Sequence, residues 1–304
     1  MRRRLLTALG VTGLVFAACF TAILGLLVLF ARGDLGLGGN RVALVEVEGL
    51  LLDADRIVRE LEEHLEDSSI RAIVVRIQSP GGVVAPTQEI HDAIRRVRAQ
   101  GKPVVVSMGA VAASGGYYLA VAADRIVANP GTLTGSIGVL MQLTEVEGLL
   151  KKVGVRYEVV KAGRYKDLGN IARPMTPEER AILQSLLDDM YDQFVTAVVQ
   201  GRHLDRAAVL ALADGRAYSG RRAKELGLVD ELGGLEAAVR TAGALAGIPG
   251  RPRLVRPRRP FRVSDLVDWL GSRTSLGGIF SEPRPLTGLP LPPLTGKLPL
   301  YLME

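Results

Sequence analysis

The alternation of apolar and polar positions divides the chain into short strands and amphipathic helices. Val42 to Val47, in "RVALVEVEG", alternates with period two and predicts a strand. In "ADRIVRELEEHLE" the residues Ile57, Val58, Leu61 and Leu65 form a helical stripe, with Asp53 placed to cap it. "RAIVVRIQ" (Arg71–Gln78) is apolar and β-branched, as a buried strand is, and stops at Ser79-Pro80-Gly81-Gly82. Next come a helix over about Thr87–Ala99, the strand "KPVVVSM", and a helix running from the Ser114 segment to Ala123. "DRIVANP" reads as a strand, "GTLTGSIGV" as turn-rich, and "RYEVVKAG" as a strand again. Thr176-Pro177-Glu178-Glu179 combines a capping box with proline at the first helical position, and opens a helix to about Gln200. Shorter helices are expected near Arg206–Ala213, Arg221–Leu226 and Leu235–Leu245. Strand alternating with helix every ~30 residues predicts an α/β fold around a mostly parallel sheet.

Both ends of the chain differ from this pattern. Leu5 to Phe30 holds no charged residue, and as a helix it would be roughly 39 Å long, enough to cross a bilayer with tilt. Arg2, Arg3 and Arg4 precede it, so the positive-inside rule keeps the N-terminus in the cytoplasm and exports the chain beyond residue 33. A cleaved signal peptide would have a shorter apolar core. Cys19, in "FAAC", has a lipoprotein-like setting, but lipidation there would leave Phe20–Phe30 as an apolar stub. As the single cysteine it makes no internal disulfide. The expected organisation is a cytoplasmic arginine cap and membrane anchor over 1–33, a glycine-rich linker over 34–40, a catalytic domain over 41–248, and a Pro/Arg-rich tail over 249–304.

Charge narrows the function. The net charge of +6 suggests a nucleic-acid partner, yet residues 41–248 hold 25 basic and 27 acidic side chains. The excess lies at the membrane end and in the tail, with Arg256, Arg258 and Arg259, rather than on a folded face, so no nucleic-acid partner is expected.

The candidate chemistry centres on "GAVAASGGYYLA", where Ser114 stands among small residues at the mouth of a helix. A serine hydroxyl needs a base. His64 and His91 lie in charged helical stretches and His203 follows the long helix, and none stands in a glycine-rich context. Lys166, in "KAGRYKDLG", follows a predicted strand, where α/β folds build sites. It would serve as a base once burial disfavours its ammonium form, and Ser136 in "TLTGSIG" is the polar neighbour able to orient it. Lys161 falls within the predicted strand and is the weaker choice. An oxyanion needs N–H donors. Gly115, at the helix N-terminus, and Gly81 or Gly82 can bring theirs close because they lack side chains.

"SPGG", "GAVAASGGYYLA", "GTLTGSIGV" and "AGRYKD", in that order, resemble the signal peptide peptidase A family. These are bacterial membrane-anchored serine proteases, peptidase family S49 of the ClpP/crotonase superfamily. The resemblance runs from about Arg41 to Leu245 and includes the anchor. It implies a spiral of β-β-α units with an N-terminal transmembrane helix, in the short form that carries serine and lysine on one chain. It makes Ser114 the nucleophile, Lys166 the general base and Ser136 the serine bonded to the amine. Gly115 with Gly81 or Gly82, Gly81 first, become the oxyanion donors. No metal or cofactor is implied. The implied partners are membrane lipid along residues 5–30, leftover signal peptides or other extended apolar peptides, and further copies of the chain in a ring on the outer face of the cytoplasmic membrane. The tail end "PLYLME" resembles a C-terminal segment that lies in the groove of some relatives.

Three other readings share parts of this pattern. A membrane protease cutting stomatin-like proteins would usually carry additional spans. A crotonase-type acyl-CoA enzyme would need acidic residues near its oxyanion donors and a cytosolic location. An inactive ring-forming scaffold would need neither Ser114 nor Lys166.

Overall fold

The computed structural model describes residues 17–25, 40–256 and 300–301. Helix α1 covers residues 17–25, with exposed side chains. The rest of the predicted span 5–30, the linker up to residue 39, and the tail other than 249–256 and 300–301 lie outside the described residues. Among the described residues no helix is long and apolar enough to cross a membrane.

The folded body alternates strand and helix as the hydrophobic pattern predicts. β1 (Arg41–Glu48) leads through α2 (Asp55–Glu66) to β2 (Ile70–Ser79) and the short β3 (Gly82–Val83). α3 (Val84–Ala99), β4 (Val104–Ala113), α4 (Gly115–Ala120), β5 (Arg125–Ala128) and β6 (Leu133–Gly135) come next. After α5 (Glu147–Lys152) come the long α6 (Pro177–Arg202), α7 (Arg206–Leu212), β7 (Ala217–Ser219) and α8 (Gly220–Glu225). β8 (Glu231–Leu232), α9 (Leu235–Leu245), β9 (Arg253–Val255) and β10 (Leu300–Tyr301) complete the order.

Several boundaries depart from the expectation. Asp53 does not cap α2; Ala54 occupies the cap position and no side chain bonds there. α3 begins three residues early, because Thr87 Oγ1 donates to the Val83 carbonyl and lies inside the first turns. α4 stops at Ala120, and Ala122 and Ala123 close with i−3 bonds as turns. The turn-rich stretch contains the strand β6. "RYEVVKAG" forms no strand: residues 155–161 pair with no other segment and are exposed, with Val160 95% accessible. Its alternation suits a strand, but no strand among the described residues pairs with it. The capping box of α6 is formed as the sequence indicates, with Thr176 Oγ1 and the Glu179 carboxylate each accepting from the other residue's N–H.

The main sheet runs β7-β6-β4-β2-β1-β9, parallel except where β7 meets β6. β4 is shared by two neighbours on one side: Val105–Ser107 pair with β5, and Val111–Ala113 with β6. β9 pairs with β1, so the sheet continues beyond residue 248. Ala43, Val45, Ile73, Val75, Val106 and Met108 face one way, onto α2, α3, α4 and α6. Val42, Leu44, Ala72, Val74 and Val105 face the other, onto α9. Every residue of α4 is buried, which makes this six-residue helix the centre of the domain.

One ion pair ties the long helix to the sheet. Arg202, at the end of α6, donates from both terminal nitrogens to Asp230 at 2.8 Å, and its Nε donates to the Gly227 carbonyl. Asp230 also accepts from the N–H of Ile126 at the start of β5, at 2.7 Å. Burial pushes the Asp230 carboxyl up, but its bonds with Arg202 outweigh this and hold it below the ordinary carboxylate range. Arg202→Ala leaves that carboxylate without its cation, and unfolding in urea is expected to show a loss of about 3 kcal/mol. Arg202→Lys, which keeps charge but not the fork, is expected to recover only part of it.

Candidate active site

The C-terminal edge of the parallel strands gathers most of the predicted residues. Ser79 ends β2 in register with Ala112 of β4, and Ala113 is in register with Gly135 of β6. Ser114 therefore follows β4 just where Ser136 follows β6. The Ser114 N–H donates to the Gly135 carbonyl at 2.8 Å, and the Ser136 N–H to the Arg216 carbonyl at 2.9 Å. Both serines have positive φ, 51° and 50°, rare for residues with a Cβ. For Ser114, with ψ −118°, this is the sharp turn that carries the chain from strand into helix. Backbone strain of this kind costs of order 1–3 kcal/mol and persists only where the surroundings over-determine it. Here the surroundings are a sheet register on one side and a buried helix on the other.

The Ser114 side chain is fully buried, and its Oγ has no hydrogen-bond partner among the described residues. A buried hydroxyl without a partner forfeits the bonds it would make in water, a cost of about 1–3 kcal/mol. Glycines surround it. A Cβ on Gly115 would meet Thr87 Oγ1 at 3.1 Å, Gly81 Cα at 3.2 Å and Gly82 N at 3.2 Å. The residue after the serine thus lies directly against the Ser79–Gly82 turn. Gly81 takes φ 120°, open to glycine alone, and its N–H donates to Ser79 Oγ at 3.1 Å. That N–H is already engaged, whereas the Gly82 nitrogen faces Gly115.

The sequence across this junction is matched by known families. The Peptidase family S49 model matches residues 96–249, and the Clp protease model matches residues 52–131. A putative protease of Synechocystis is 44% identical over 210 residues, 69% of this chain and 76% of the relative. The chain belongs to peptidase family S49. A putative signal peptide peptidase SppA of Enterococcus faecium is 32% identical over 217 residues, 67% of this chain and 63% of that one. Protease 4 of Haemophilus influenzae is 35% identical over 240 residues, 76% of this chain but 37% of its own length.

Lys166 of this S49 chain does not join the others. It lies exposed in a run of turns over 164–169, and not at a strand end. Residues 151–166 are all exposed, and Val153, Val155 and Tyr157 among them present apolar surface to solvent, as does Leu149. Ser136 lines a cavity of about 860 Å³ with Leu133, Val139, Tyr191 and Arg216, and Ser114 is not among its walls.

The lysine turn is nevertheless anchored, through contacts that the sequence does not show. Lys161 bonds to the Asp167 carboxylate and, at 2.9 Å, to the Arg164 carbonyl. Arg173 donates to Asp167 from Nε at 3.2 Å and Nη2 at 3.0 Å, and grips Glu179 from both terminal nitrogens. Tyr165 and Arg164 both bond to Glu178. The motif "YKD" read alone marks the lysine. That its two neighbours fasten to the first turn of α6 is visible only in three dimensions.

The bonds from Arg173 and from the Thr176 N–H hold the Glu179 carboxyl down at about 2. A depressed carboxyl stabilises the fold above its ordinary range near ~4.3 and loses that contribution as pH falls through its folded value. The thermal midpoint of the native chain should therefore exceed that of Glu179→Gln at pH 6, with the gap closing between about pH 4.5 and 2.

Proposed function

We propose that this chain is a serine endopeptidase that cuts extended apolar peptides, with Ser114 as nucleophile and Lys166 as general base. The observation that carries the reading is the buried, unpartnered Ser114 hydroxyl held in a strained turn against two glycine-rich backbones. A hydroxyl kept there without a partner serves no packing purpose and is ready to accept one. Once desolvated beside Ser114, the Lys166 amine takes the Ser114 proton as Oγ attacks the scissile carbonyl, and the resulting ammonium returns a proton to the departing amine. Water then releases the acyl group by the same path in reverse. The N–H groups of Gly115 and Gly82 receive the oxyanion, Gly82 replacing Gly81 because the latter already serves Ser79. Ser136 orients the amine.

Membership of family S49 supports peptide hydrolysis, and the pairing of β10 supports an extended substrate. Leu300 and Tyr301 lie antiparallel on Val83 and Gly82, at the proposed oxyanion donor and the residue after it. A substrate strand added in the same place would satisfy its backbone and present its scissile bond to Ser114. The Enterococcus relative bears the name signal peptide peptidase, and a cleaved signal peptide, apolar and unfolded, has the required chemistry. The uncharged run 5–30 supports a single membrane anchor with the domain outside the cytoplasm.

Within one chain Lys166 is exposed and Ser114 is enclosed, so we assign the amine to a neighbouring copy in a ring. The exposed apolar arm over 153–160 is the surface that would bury against that neighbour. Ser114→Ala and Lys166→Ala are each expected to lower the rate on an apolar fluorogenic peptide roughly a thousandfold or more. Mixing the two inactive variants should restore part of the rate, and full activity in Lys166→Ala would place the base elsewhere. In the native chain the rate should climb with pH and then level off, as a general base requires. Gly115→Ala, which wedges a methyl against the Gly82 nitrogen, is expected to reduce the rate about tenfold with little change in thermal midpoint. Deleting residues 286–304, which removes the strand paired with β3, should change the rate or the assembly size; no change in either would remove the tail from the groove.

A further inference from the structure

We propose that Arg173 is a positioning residue that fixes Lys166 in place through Asp167, an inference that rests on the assignment of Ser114 and Lys166 as nucleophile and base.

A general base must meet its proton donor within a fraction of an ångström, and a displacement of about 1 Å can cost a hundredfold in rate. Within the chain every residue from 151 to 166 is exposed, so whatever the neighbouring copy adds, the chain's own hold on Lys166 comes from the residues beside it. Tyr165 bonds to Glu178, in the first turn of α6. Asp167 bonds to Lys161 and to Arg173, and Arg173 in turn closes a two-point fork on Glu179. Glu179 accepts from the Thr176 N–H at 3.0 Å as part of the capping box. The chain of contacts therefore runs from Lys166, through Asp167 and Arg173, to the end of a 26-residue helix. Arg173 is the member that links Asp167 to the helix, since it touches both carboxylates, while Arg164 and Tyr165 reach Glu178 directly. A planar guanidinium is suited to this because it spans two carboxylates with fixed geometry, which an ammonium cannot do.

The same contacts balance the charge of the turn that carries Lys166. Lys161, Arg164 and Arg173 face Asp167, Glu178 and Glu179 across the turn, three cations against three anions. The bond with Lys161, then those with Arg173, hold Asp167 ionised far below the ordinary carboxylate range. With Arg173 gone, Glu179 loses its cation and Asp167 keeps only Lys161, so the turn that carries Lys166 becomes more negative, and added negative charge near an amine favours the protonated form.

The test uses the full chain in detergent with an apolar fluorogenic peptide, comparing Arg173→Met, Arg173→Lys and Lys166→Ala with the native protein from pH 6 to 10. Arg173→Met is expected to lower kcat about a hundredfold while KM stays within about twofold, and to move the midpoint of the pH–rate rise upward. Arg173→Lys, which restores charge but not the fork, should return the midpoint and only part of the rate. Native kcat in Arg173→Met overturns the proposal, and so does a lowered kcat with an unmoved midpoint, which is the result of mere loosening. If circular dichroism shows Arg173→Met unfolded, Asp167→Asn takes its place. It leaves Arg173 on Glu179, and it should lower kcat and move the midpoint downward; native values there overturn the proposal equally. An inactive Lys166→Ala beside a native-like Arg173→Met removes the positioning role alone. An active Lys166→Ala removes the dyad on which that role depends.

Discussion

Register at the C-terminal edge of β4 is the constraint on which the rest of the site depends. β4 is paired along its length, with β2 on one side and with β5 and then β6 on the other. β4 is buried on both faces, with Val104, Val106 and Met108 toward the helices and Val105 toward α9, so the pairing on both sides fixes where the strand ends. Where it ends, Ser114 turns the chain through a conformation that L-residues avoid and delivers it into a helix with no exposed residue. Strain at one residue is thereby set against the packing of two complete elements.

Much of this is legible from residues alone. β1, β2, β4, β5, α6 and α9 appear where their periodicity places them, because each buries a face wide enough to leave a pattern. The four glycine- and serine-rich motifs are legible for a different reason. Close approach of backbones demands missing side chains, as the contacts of Gly115 with Gly81 and Gly82 show. The departures have a common cause in context. Asp53 has the chemistry of a cap, but the helix begins two residues later. "RYEVVKAG" has the alternation of a strand, but alternation specifies conformation and not a partner, and among the described residues it pairs with neither edge strand, β7 or β9.

The site residues divide along the same line. Ser114, Ser136, Gly81, Gly82 and Gly115 converge because they lie where strands of one sheet end, and strand order brings strand ends together. Lys166 stands apart because its segment belongs to no sheet. The contacts around it, from Lys161 to Glu179, join residues that are ordinary in sequence: a lysine, two arginines and three acids in a charged stretch. The fork of Arg173 between Asp167 and Glu179 is what distinguishes them from a plain solvated surface.

The shared strand edge also has a thermodynamic consequence. Ser114 has no flexible loop of its own: it is joined covalently to β4 and by its N–H to β6, so it opens only when the central sheet opens. The lysine turn hangs on side-chain bonds at the surface and can come loose while the sheet is intact. The serine turn and the lysine turn are thus held by different means, one by the pairing of the central sheet and the other by side-chain bonds at the surface.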